Sequence, residues 1–367
     1  MSVRLMVPGP VTVEDEVLHE MGGPVRVHYG TEWTGIYNET VEMMKHVFKI
    51  EGDAHLLVGS GSAALDAAVG SITAAGETVI VGTNGFFGMR LEEICRSYGL
   101  NVVRVEAELG CRLSPDDFGT ALEGHSDAVL VAIVHLETST AVLNPLQRIA
   151  ERVKAHGVPM LIDAVSSLGG VELEMDAWGI DLCAAASQKC LGAPPGLGPI
   201  AISPRAWRIM ESKPGRGHGW YLNLQTWQRY AEDWAEWHPF PVTMATNNVM
   251  ALRASLRSLL DEGIDTRIQR YTHLAMRLRD GVRKLGLEPF TPDEELAPVL
   301  TAIIGPDGIP TGEIIQYLLD VHRIKVSISL GEGLKDRIFW VGHMSPKLED
   351  QDIDAVLDGL AGFLEGS

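Results

Sequence analysis

From about residue 55 onward, short apolar runs alternate with helix-like stretches, and this alternation leaves few architectures open. His55–Val58 reads as a strand, followed by Gly59-Ser60-Gly61-Ser62 and a helix over Ala63–Ile72. Thr78–Val81 and Phe86–Arg96 repeat the pair. Val129–Val134 is continuously apolar, as a strand covered on both faces requires. Leu146, Ile149, Ala150 and Val153 share one helix face. Strands over Met160–Ile162 and Leu182–Ala186 follow. Strand and helix in strict alternation predict an α/β fold with a mostly parallel sheet covered by helices.

After about residue 255 the pattern changes. Two long helical stretches, roughly 246–260 and 264–284, precede strand candidates at Val299–Ile304, Ile324–Ile328 and Ile338–Val341. A last helix carries Ile353, Val356, Leu357, Leu360 and Phe363 on one face. A chain of 367 residues exceeds what one core ordinarily holds. The division expected is an N-terminal arm (1–14), a large domain (15–255) and a smaller C-terminal α/β domain (256–367).

The formal net charge of −19 disfavours nucleic acid and anionic membrane as partners. No apolar run is long enough for a transmembrane helix, and the N-terminus has no signal-peptide pattern. Cys95, Cys111, Cys183 and Cys190 form no CxxC pair, so free thiols in a reducing cytoplasm are expected, with no metal cluster.

In parallel sheets ligands sit at the carboxyl ends of strands. Three chemistry-bearing segments fall there. Gly59-Ser60-Gly61-Ser62 opens a helix, where free N–H groups and the dipole favour a phosphate; an ordinary turn with a serine N-cap reads equally well. Asp163 ends an apolar strand, where a buried acid needs a partner such as a protonated pyridine nitrogen, a helix N-terminus or a structural base. Lys189, in Ser187-Gln188-Lys189-Cys190-Leu191-Gly192, follows a small-residue strand and precedes a Gly-Ala-Pro-Pro-Gly path. Held there it can lose its proton and attack an aldehyde, although an exposed loop lysine fits the same pattern. The order phosphate loop, acid, lysine favours the chemical reading of all three.

At these residues the chain resembles the class V, alanine–glyoxylate type branch of the fold-type I pyridoxal-phosphate (PLP) aminotransferases. The resemblance runs from Pro8-Gly9-Pro10 to Gly342-His343-Met344 and includes Asn84–Arg90, His135–Thr140, Asp163–Gly170, Ser187–Gly196 and Thr243. It implies pyridoxal 5'-phosphate as cofactor, with Lys189 forming the Schiff base and moving the substrate proton. It implies Asp163 at the pyridine nitrogen, Phe87 and Val165 on the ring faces, and Thr138 near the ring hydroxyl. Ser60, Gly61, Ser62 and Gln188 would hold the phosphate. Thr243 would reach the neighbouring subunit's phosphate, which implies a homodimer with shared sites.

Gly9, Trp340 and Arg337 are the substrate-side candidates. Trp340 marks a departure, because the family carries there an arginine that grips the substrate carboxylate. Arg337 lies three residues earlier, on the other face of a regular strand. The resemblance therefore implies transfer of an amino group from an amine or amino-acid donor to glyoxylate or pyruvate, with bulky or amine-type donors favoured. The alternatives are a pyridoxamine–pyruvate type transaminase, a PLP lyase or desulfurase-like enzyme using Cys111 or Cys190, and a non-catalytic binding module. Trp220, Trp227, Trp234 and Trp237, spaced by 7, 7 and 3, share a face if helical. Such a face packs at an interface or walls an apolar substrate.

Overall fold

The computed structural model describes residues 3–212, 219–331 and 333–366. The chain opens with a two-residue strand β1 (Arg4–Leu5) and helices α1 (Asp15–Met21) and α2 (Thr31–Phe48). Then come β2 (Asp53–Val58), α3 (Gly61–Ile72), β3 (Thr78–Thr83), α4 (Phe86–Ser97), β4 (Asn101–Glu106), α5 (Pro115–Gly124) and β5 (Ala128–Val134). A small hairpin, β6 (Leu136–Glu137) and β7 (Val142–Leu143), leads to α6 (Leu146–Ala155), β8 (Met160–Asp163), α7 (Met175–Trp178), β9 (Leu182–Ala184) and β10 (Leu197–Ile202). Helices α8 (Pro204–Glu211), α9 (Leu224–Asp233), α10 (Thr246–Glu262) and α11 (Ile264–Lys284) follow. The chain ends with β11 (Leu300–Ile304), α12 (Thr311–His322), β12 (Ile324–Lys325), β13 (Ser327–Ile328), β14 (Ile338–Gly342) and α13 (Asp350–Gly366).

The main sheet has the order β2-β10-β9-β8-β5-β3-β4. The links from β4 through β3, β5 and β8 to β9 are all parallel, and β10 alone runs against its neighbours. Strand β5 is buried at all but one position, which is why it reads as an unbroken apolar run. The carboxyl ends of β2, β3, β5, β8 and β9 therefore share one edge.

A second core gathers α11, β11, β14 and α13 over a sheet of order β11-β14-β13. Two features there differ from expectation. The single strand predicted over Ile324–Ile328 breaks at the buried Val326 into β12 and β13, which belong to different sheets. Strand β12 pairs in parallel with β1, and Met6 and Val11 join the second core, so the first residues of the chain pack with that core. The expected division at 255/256 falls inside α10, whose Leu256 and Leu259 still belong to the first core.

The four tryptophans do not share a helix face. Only Trp227 lies within α9; it is fully buried, and its indole donates to the Tyr221 carbonyl at 2.7 Å. Trp220, Trp234 and Trp237 are exposed outside the helix. The spacing ran past the true ends of a ten-residue helix.

No helix among the described residues is long and apolar enough to cross a membrane. Cys95, Cys183 and Cys190 are buried and unpaired, and Cys111 is exposed and unpaired.

Three fully enclosed histidines set an acid limit on the fold. Burial lowers His55 to about 4 and His135 and His343 to about 3. The unfolded chain binds these protons below about pH 6.5, and the folded chain does not. Stability should therefore fall as pH drops from 6.5 toward 4, by up to about 1.4 kcal/mol per pH unit for each histidine. Denaturant midpoints at pH 7 and pH 5 measure this, and His343→Gln should reduce the difference.

Candidate active site

The edge formed by the strand carboxyl ends holds a cavity of about 240 Å³. Asp163, the last residue of β8, lines it, as does Lys189 in the turn after β9. Burial raises Asp163 to about 6. Its Oδ1 accepts the Val165 N–H at 2.9 Å, and the carboxylate has no salt bridge among the described residues. Burial lowers Lys189, which likewise has no salt bridge there; its Nζ donates to the Pro8 carbonyl. An acid and an amine thus share one desolvated space without neutralising each other directly.

Ser60, Gly61 and Ser62 line the same cavity at the start of α3. The Ser60 side chain makes no capping bond, so this helix N-terminus is open to an anion. A Cβ on Gly61 would collide with Val165 Cγ2, so only glycine lets Val165 come this close. Gln188 lines the cavity too, and its buried Oε1 has no partner. Phe87, Thr138 and Val165 complete the expected group, and Thr138 Oγ1 donates to Ser166 Oγ at 2.8 Å.

The remaining sequence-derived candidates lie elsewhere. Gly9 does not line the cavity but packs beside the lysine. Its φ of +93° and a built Cβ only 2.5 Å from Lys189 Cδ both demand glycine. Trp340 is 3 % exposed, and its indole donates to the Ser139 carbonyl at 3.2 Å. Arg337 is exposed, its guanidinium 5.6 Å from the Phe290 ring. Thr243 is also exposed.

Arg90 also lines the cavity, although no role was expected of it. It lies three positions after Phe87 on α4, which puts both on one helix face. Its guanidinium sits 4.9 Å from the Phe86 and Phe87 ring centres and has no salt bridge among the described residues.

An open helix N-terminus, an acid and an amine without salt bridges among the described residues, and an aromatic ring suit a planar heteroaromatic aldehyde with an anionic tail, which is the chemistry of pyridoxal phosphate.

Comparison with known proteins agrees. The family model described as aminotransferase class-V matches residues 12–329. The chain is 31% identical to (S)-ureidoglycine–glyoxylate transaminase of Bacillus subtilis, over 98% of this chain and 90% of that protein. The crystal structure of alanine–glyoxylate aminotransferase from Nostoc sp. superposes with a TM-score of 0.94 at 31% identity, covering 99% and 96% of the two chains. That of pyridoxamine–pyruvate aminotransferase from Mesorhizobium loti gives 0.94 at 26%, covering 100% and 92%. The chain belongs to the class V aminotransferases, pyridoxal-phosphate enzymes of fold type I.

Proposed function

We propose that this enzyme moves an amino group from an amine or amino-acid donor to glyoxylate or pyruvate, with Lys189 as its reactive amine. The observation that carries this reading is the meeting of Lys189 and Asp163, neither in a salt bridge among the described residues, in one cavity beside an open helix N-terminus. Bound pyridoxal phosphate supplies an electrophilic carbonyl and a ring that accepts an electron pair. Asp163 would keep the pyridine nitrogen protonated by placing a carboxylate against it. Phe87 and Val165 would flank the ring, Thr138 would serve its hydroxyl, and Ser60, Gly61, Ser62 and Gln188 would hold the phosphate. Lys189, biased by burial toward its neutral form, takes and returns the proton at the substrate carbon.

A 2-oxo acid still needs a cation for its carboxylate. Strand β14 offers none, because Trp340 stands at the family's arginine position and spends its indole N–H on Ser139. Arg4 is paired with Asp352 at 2.7 Å, and Arg337 points at Phe290. Arg90 lines the cavity and has no salt bridge among the described residues, and we assign the acceptor's carboxylate to it. Amines lacking a carboxylate are the matching donors. A donor and acceptor screen on wild type and Arg90→Gln tests this. The KM for the 2-oxo acid should rise at least tenfold in the variant, the order of one lost charged hydrogen bond. Fast turnover of L-alanine that is indifferent to Arg90→Gln would sink this part of the reading.

The same reading makes the enzyme a homodimer in which Thr243 serves the neighbouring subunit. Val25, Val27, Tyr29, Trp220 and Trp237 are exposed apolar residues, with Tyr29 and Trp237 5.6 Å apart. Apolar surface of this kind favours burial against a second copy. Unpaired cysteines suit a cytoplasmic location.

A further inference from the structure

Glu137 is fully buried, yet no cation pairs with it among the described residues. Hydrogen bonds hold it instead. Its carboxylate accepts the N–H of Phe87 at 3.1 Å, of Gly88 at 2.9 Å and of Ser139 at 2.9 Å. It also accepts the Ser139 hydroxyl at 2.5 Å, and that hydroxyl oxygen accepts the Phe86 N–H at 2.9 Å. The first three N–H groups of α4 are therefore all taken by Glu137 and Ser139. A carboxylate at a helix N-terminus is stabilised by the dipole as well as by the donors. The two helix starts near the cavity are thus treated differently. That of α3 has no side-chain cap, whereas that of α4 is filled by an internal anion.

The same unit reaches the small domain. The Ser139 carbonyl accepts the Trp340 indole at 3.2 Å and the Ser329 hydroxyl at 3.1 Å. Gly85, just before α4, permits the close fit, since a Cβ there would lie 2.5 Å from Glu137 Cγ. An unbroken set of hydrogen bonds runs from Trp340 through Ser139 and Glu137 to the backbone of Phe87.

We propose that Glu137 is a positioning residue that aims Phe87 at the cofactor ring and, through Ser139, ties that aim to Trp340 and Ser329 of the small domain. This rests on the reading of Phe87 as the ring-facing side chain. It also gives Trp340 a purpose at the position where relatives carry an arginine: the indole anchors the wall of the cavity.

Glu137→Gln preserves shape, but its amide has only one oxygen to accept the N–H groups that now share two. The test titrates apoenzyme with pyridoxal phosphate, reading tryptophan fluorescence for affinity and visible circular dichroism for the setting of the bound ring. Glu137→Gln should weaken binding about tenfold to a hundredfold, the order for hydrogen bonds to a charged group, and diminish the dichroic band. Phe87→Leu should do the same, and the double variant should lose little more than either alone. Trp340→Phe, which keeps an aromatic ring but removes the indole N–H, should shift the band in the same direction by a smaller amount; it serves if Glu137→Gln does not fold. A normal affinity and dichroic band in Glu137→Gln, or losses that simply add with Phe87→Leu, would overturn the proposal alone. If Phe87→Leu itself changes neither signal, the assignment of Phe87 fails and takes the proposal with it.

Discussion

Lys189→Ala should lower transamination by on the order of 10⁴-fold, the upper range for removal of a positioned proton-transferring group. The amine has two duties in the proposed chemistry, and alanine can perform neither. Thr138, Gln188 and the α3 N-terminus are untouched by the change, so the cofactor should still bind. It should, however, be washed out by dialysis, and borohydride should fix none of it to the protein. In wild type the same treatment should label residue 189. A label on another lysine would reject the assignment, as would near-normal turnover in the variant.

Asp163→Asn should cost on the order of 10²–10³ in turnover, comparable to losing one preorganised polar contact to developing charge. The shape is kept, but the pyridine nitrogen loses the negative partner that holds its proton. A pH signature separates this from mere unfolding. Burial raises Asp163 to about 6, against about 3.8 when exposed. The folded apoenzyme therefore keeps a proton between pH 4 and 6 that the unfolded chain releases, and it loses stability as pH rises through that window. About two pK units correspond to about 3 kcal/mol. Asp163→Asn should remove this component, while the opposing slope from His55, His135 and His343 stays in both proteins. Wild-type affinity for the cofactor should weaken below about pH 6, and that of the variant should not follow it. Parallel pH profiles of affinity in the two proteins would show that Asp163 does not face the ring nitrogen.

The strand ends were legible because burial on both faces writes continuous apolar runs, and Asp163 and Lys189 stand where those runs stop. The Gly59–Ser62 loop was legible because Gly61 and its serines mark a helix start. Arg90 escaped notice because a charged residue on a helix ordinarily faces water, whereas here its guanidinium lies against the neighbouring Phe86 and Phe87 rings at the cavity. Glu137 was visible as part of His135–Thr140, yet its bonds go to backbone N–H groups, which carry no residue-specific signal. The Trp227 neighbourhood misled, because a spacing of seven persists in sequence after the helix has ended at Asp233.

The pairing of Arg4–Leu5 with Ile324–Lys325 is a contact of very high sequence separation, of the kind that forms slowly in folding. Pro8 and Gly9, which close over Lys189, are carried by that arm. The lining beside Lys189 therefore depends on a pairing whose loop-closure entropy is large.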